Sequence, residues 1–167
     1  MKPLAFLAGM AALWLAGCAS LEPAAPADYT GPTANVADQA VAINGRLLHI
    51  FEMTAVDGRR LSSTSMATVG LTQGRELATS PVVALTNELA LQPARVRLQA
   101  TTQYAAPVQA FTSPTCRVQG DVDFTPEAGK AYRVAGRIAA DACEAWIEDL
   151  ATHQAVTAKV SGKGTGA

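Results

Sequence analysis

The side chains able to do chemistry are few and scattered. Only two histidines occur, His49 and His153. A metal site or a general base would need carboxylates or thiolates converging on one of them. His49 lies between Leu48 and Ile50 in an apolar stretch, and His153 lies in a turn segment. No spacing brings ligands to either, so both read as structural or incidental. The run Ser62-Ser63-Thr64-Ser65 has neither the GxSxG elbow nor the SxxK lysine around it and reads as a polar loop. Asp121 and Asp123 share one strand face but lack the glycine-turned loop of an EF-hand. Glu144, Glu148 and Asp149 are of the type that pairs as acid and base in glycoside hydrolysis. Carboxylates on a strand surface are common, however, and these read as solvated. Gly70 and Gly74 are isolated and form no phosphate cradle. The expectation is a protein that is not an enzyme, with no catalytic residue, no metal and no cofactor.

Two features suit recognition better than catalysis. Trp146 falls on one strand face with Glu144 and Glu148, opposite Cys143, Ala145 and Ile147. Exposed, an aromatic among carboxylates fits a binding surface, where Trp is over-represented. The competing reading covers that face, or turns Trp146 inward through a bulge. The second feature is the loop Ala105–Thr115, AAPVQAFTSPT, which carries Val108 and Phe111 between prolines. Loops on a rigid scaffold often carry recognition; packing over the edge of the fold is the equal alternative.

The N-terminus has a basic start at Lys2 and an apolar run of about twelve residues from Leu4 to Leu15. Spanning a bilayer needs about 20 apolar residues, so this run is a signal segment rather than a membrane span. It ends in Leu15-Ala16-Gly17-Cys18, which resembles the lipobox of bacterial lipoproteins. The resemblance implies that residues 1–17 are removed and that Cys18 becomes a diacylglycerol-modified, N-acylated N-terminus. Two or more chains anchor stably where one holds only marginally. Ala19, rather than Asp, follows the cysteine; by resemblance to Gram-negative lipoproteins this implies export to the outer membrane.

Removal of residues 1–17 leaves 150 residues, Cys18 to Ala167, enough for one domain. The net charge of −1 becomes about −2 without Lys2, which argues against a nucleic-acid partner. With Cys18 assigned to lipid, Cys116 and Cys143 remain as a pair in an oxidising compartment, and a disulfide is expected. It would close a loop of about 28 residues, for which chain entropy gives about 3–4 kcal/mol. A two-thiolate metal site lacks the CxxC or histidine to complete it.

Pro23, Pro26, Gly31 and Pro32 make residues 18–32 a tether without regular structure, and the domain is expected over residues 33–161, with 162–167 a loose tail. Leu47 to Val56 reads as a strand ending in a tight turn at Asp57-Gly58. Residues 81–91 are ambiguous between strand and short helix. Residues 62–80 show weak periodicity, and a structureless loop of that length in a compact domain is usually functional, disordered or a misread element. Alanine is abundant and aromatics are only 5%, thin for a β core, which leaves room for one short helix within 62–92. Val96, Leu98 and Ala100 alternate with polar residues, as do Val118, Gly120, Val122 and Phe124. A further strand places Tyr132, Val134 and Ile138 inward; another runs from Cys143 to Glu148, and a last one carries Val156, Ala158 and Val160. Short strands separated by turn signals predict a mainly β fold, a single antiparallel β-sandwich.

The stretch VDFTPEAGKAYRVAGRI, followed by Cys143 to Asp149, is similar to small uncharacterised bacterial lipoproteins with an F-x-P-E-A-G-K-x-Y hairpin before an A-W-I-E-D strand. The similarity covers about residues 117–156. It implies an immunoglobulin- or transthyretin-like sandwich and no particular activity. The expected role is a non-catalytic protein-binding or assembly module at the outer membrane, facing the periplasm. The alternatives are an inhibitor of a cell-wall hydrolase or exported toxin, whose 105–115 loop enters a cleft, and a small-ligand-binding module.

Overall fold

The computed structural model describes residues 21–72, 82–139 and 142–164. In chain order its strands are β1 (Thr33–Ala37), β2 (Gln39–Asn44), β3 (Leu47–Val56), β4 (Arg59–Arg60), β5 (Thr86–Ala90), β6 (Ala94–Tyr104), β7 (Arg117–Phe124), β8 (Ala131–Ile138), β9 (Cys143–Asp149) and β10 (Val160–Gly162). A helix, α1 (Thr64–Thr72), follows β4, and a 3-10 turn spans Pro107–Phe111. One sheet has the order β10-β9-β8-β1-β5; the other has β2-β3-β6-β7, with β4 paired to the last residues of β3, Ala55 and Val56. The two sheets form the expected sandwich. One pairing departs from the antiparallel expectation: β1 runs parallel to β8, with Val36 opposite Tyr132. Alternation has the same period in either direction, so it carries no information about that pairing.

The core lies between the sheets. Val36, Met53, Val96, Leu98, Val134 and Ile147 are fully buried, each contributing about 1.5–3 kcal/mol. Phe124 meets Tyr132 edge to face at 5.0 Å, and the Tyr132 hydroxyl accepts the Glu127 N–H. Gly136 sets how closely the sheets approach, because a Cβ there would run into the Phe51 ring and the Glu144 carbonyl. The Asp57-Gly58 turn is as expected. Both residues have positive φ, 49° and 81°, and Val56 pairs with Arg59 across the two-residue connection, the geometry that favours Asp-Gly.

β3 is buried on both faces. Phe51 and Met53 enter the main core, whereas Leu48 and Ile50 form a separate small cluster with Ala40 and Ala105 on the outer face of the second sheet. α1 packs over that outer face. The helix falls within the expected 62–92 window, and the ambiguous apolar stretch resolves as β5, antiparallel to β1. Residues 73–81 lie outside the described residues.

Two expectations need correction. The last strand is only Val160–Gly162, and Val156 is 42% exposed. The Thr157 hydroxyl accepts the Ile147 N–H, so a side chain takes the place of a ladder bond. Residues 21–32 have no regular structure, but they are not a free tether. The Glu22 N–H donates to the Arg60 carbonyl, the Arg59 guanidinium donates to the Pro23 and Ala24 carbonyls, and Ala24 is buried in the core. Prolines forbid a ladder, yet they leave carbonyls free to accept. Cys18 lies outside the described residues.

Candidate functional site

The loop after β6 leaves the sandwich at Tyr104 and returns at Cys116. Its base is closed by the Thr102 N–H to the Cys116 carbonyl and by the Cys116 N–H to the Thr102 hydroxyl, at 2.9 and 3.1 Å. The Tyr104 hydroxyl donates to the Pro114 carbonyl at 2.6 Å, and the Ala105 N–H donates to the Arg46 carbonyl of the β2–β3 hairpin. Cys116 is disulfide-bonded to Cys143, with Cα atoms 5.7 Å apart. The expected bridge therefore staples the loop base to the opposite sheet. Pro107 starts the 3-10 turn, where its fixed φ suits the first position. Val108 is 66% exposed and Phe111 86%. The apolar side chains of this loop point outward instead of packing over the edge of the fold, on a base held by four hydrogen bonds and a disulfide. A cavity of about 560 Å³ separates the turn from the hairpin, between Gln109 and Ser113 on one side and Asn44 to Leu47 on the other.

Trp146 lies on the outer face of the first sheet, aligned with Ala135 of β8. It is half-buried rather than core. The Lys159 ammonium stands 4.5 Å from the ring centroid and also contacts Glu144 at 3.3 Å. The indole N–H donates to Glu148 at 3.4 Å, and Glu148 is itself buried and held by Arg133 at 2.6 Å. No bulge turns the indole inward, but its face is occupied by the lysine. Trp146 is part of a charged lattice across β8, β9 and the approach to β10, and less available than Phe111.

The histidines stay apart. His49 is half-buried beside a cavity of about 240 Å³ with Tyr104, Pro114, Cys116 and Ile138, and burial pulls its imidazole below the ordinary value. His153 has φ 56° in the turn after β9, 3.8 Å from Glu148. Among the described residues no cluster of three or more His, Cys, Asp or Glu could hold a metal. Asp121 joins Arg95 and Arg97 on the surface, and these partners hold its carboxyl below the usual range.

A buried acidic pair went unnoticed in the sequence. Asp38, where the chain crosses from β1 to β2, is 3% exposed, and Glu52 of β3 is 0% exposed. Asp38 accepts the Met53 N–H at 2.9 Å and the Thr64 hydroxyl at 2.6 Å. Its carboxylate replaces a ladder partner on the flank of β3 between β2 and β4. Glu52 accepts hydroxyls from Ser63 and Ser65, the Ser65 N–H and the Gln99 amide. α1 has no acid in its own first turn, so Glu52 reaches across from β3 to satisfy one of its orphan N–H groups. Desolvation pushes the Asp38 carboxyl up to about 7, against the pull of its two hydrogen bonds and with help from Glu52. The signal in the sequence was a glutamate inside the apolar run LLHIFEMTAV, since Glu is rarely buried without partners. The serines read as a loop are those partners.

Compared with protein-family models, curated proteins and solved structures, the chain matches none. The described residues define a disulfide-stapled β-sandwich, and none of its helices is long and apolar enough to cross a membrane.

Proposed function

We propose that this chain is a lipid-anchored protein of the bacterial outer membrane, facing the periplasm, that works by binding another protein rather than by catalysis. The observation that carries the binding reading is Phe111, 86% exposed on a turn whose base is stapled by Cys116–Cys143. An aromatic anchor on a loop whose base is fixed before contact leaves less backbone to order on binding, and a few such residues can dominate an interface. The Leu15-Ala16-Gly17-Cys18 sequence supports the anchor.

The test captures partners from detergent-solubilised envelopes with the lipidated protein and with a Phe111→Ala variant. A partner at near-unit ratio that is lost with Phe111→Ala, at a cost of about 2 kcal/mol or more, supports the reading. A partner retained by the variant removes Phe111 from the interface. In parallel, Cys18→Ser should abolish acyl labelling; unchanged labelling would sink the lipoprotein assignment. The partner's identity separates assembly from inhibition of a hydrolase or toxin.

A further inference from the structure

The first described residues end on the outer face of the second sheet, beside α1. Leu21 lines a cavity of about 310 Å³ there with Arg60, Met66, Arg97 and Arg117. A second cavity of about 440 Å³ shares Ser65, Met66 and Arg117 with it and adds Val69 and Thr101. Their rims leave Leu21, Met66 and Val69 between 56% and 68% exposed. α1, TSMATVGLT, carries no charge. Arg97 is engaged by Asp121, whereas Arg60 and Arg117 form no ion pair among the described residues. No carboxylate lines either cavity among the described residues. Glu52 lies buried beneath them, with its oxygens accepting from Ser63, Ser65 and Gln99, and exposed Glu22 adjoins Leu21 in the chain.

Three residue steps separate Cys18 from Leu21, a reach of about 10 Å at most. An acyl anchor on Cys18 therefore brings this face within reach of the headgroups. We propose that the outer face of the second sheet, with Leu21, Met66 and Val69 as its apolar contacts and Arg60 and Arg117 as its cations, lies on an anionic lipid bilayer. The domain is recumbent on the membrane. The apolar side chains enter the interfacial layer, and the two guanidinium groups meet headgroup phosphates. This rests on the lipidation of Cys18. It leaves Trp146, on the far sheet, facing away from the membrane.

The sequence supplies an internal control. Of its two tryptophans, Trp14 lies in the segment removed with the signal, so Trp146 alone reports in the mature protein. The lipidated protein is reconstituted into vesicles of phosphatidylethanolamine and brominated phosphatidylglycerol, and recovered by flotation. The native Trp146 should keep its emission, and a Met66→Trp variant in a Trp146→Phe background should be strongly quenched. Val69→Trp, one turn further along α1, should behave like Met66→Trp and guards against a local disturbance at residue 66. Adding Arg60→Gln and Arg117→Gln should lower the ratio of docked to undocked protein on the order of tenfold. Floated, acylated protein with no quenching at residues 66 and 69, or with equal quenching of Trp146, overturns the docking alone. Protein that neither floats nor carries acyl mass overturns the anchor, and the docking with it.

Discussion

Replacing Asp38 with asparagine should raise stability at neutral pH and remove a pH dependence that the wild-type protein carries between about pH 4 and pH 7. The carboxyl is almost wholly out of water and receives hydrogen bonds from the Met53 N–H and the Thr64 hydroxyl, with no cation paired to it among the described residues. Its folded-state value of about 7 stands above the ordinary 3.8. The folded state therefore holds the proton more tightly than the unfolded chain does. Stability from this group is complete below the unfolded value and is lost as pH rises through the folded one. At about 1.4 kcal/mol per pH unit, the span from 3.8 to about 7 amounts to about 4 kcal/mol. Asparagine keeps the shape and the acceptor for Met53. Its amide can donate to the Thr64 oxygen, which already accepts the Leu85 N–H and has a second lone pair. Urea unfolding of both proteins in steps from about pH 5 to pH 8 measures the effect. His49 acts in the opposite sense, since its lowered imidazole loses stability as pH falls, but it is common to both proteins and cancels in the difference. Parallel stability profiles, or an asparagine variant that is less stable across the whole range, would refute the reasoning.

Two further outcomes concern the staples of the fold. Cys116→Ser with Cys143→Ser should cost about 3–4 kcal/mol in urea unfolding, from a sequence separation of 27 residues; a loss under about 1 kcal/mol would mean that the loop base holds without the bridge. Arg133→Ala should cost about 2 kcal/mol, less than for a fully buried pair because the arginine is one-third exposed, while Glu148 at 7% is left with weaker partners. A change in the urea midpoint equivalent to under about 0.5 kcal/mol would show that water replaces the guanidinium.

Much of the architecture was present in the sequence by itself. Alternation marked β6, β7, β8 and β9, because a strand half-buried on a pleated sheet must repeat every two residues. Asp57-Gly58 declared a hairpin, because few other residue pairs accept positive φ twice. The alternation in β9 turned Cys143 inward, opposite Trp146, where it is joined to Cys116. Each of these is a property of neighbours along the chain. Tertiary structure decided what depends on which sheet an element enters. β1 lies parallel to β8 although nothing in its five residues states a direction. Phe111 points outward because the disulfide and Tyr104 close the loop base behind it. Residues 21–24 are tied down because Arg59, some 35 residues later, reaches their carbonyls. Asp38 meets Thr64 across 26 residues and Glu52 meets Gln99 across 47. A buried carboxylate must find donors wherever folding brings them, and no local pattern records where that will be.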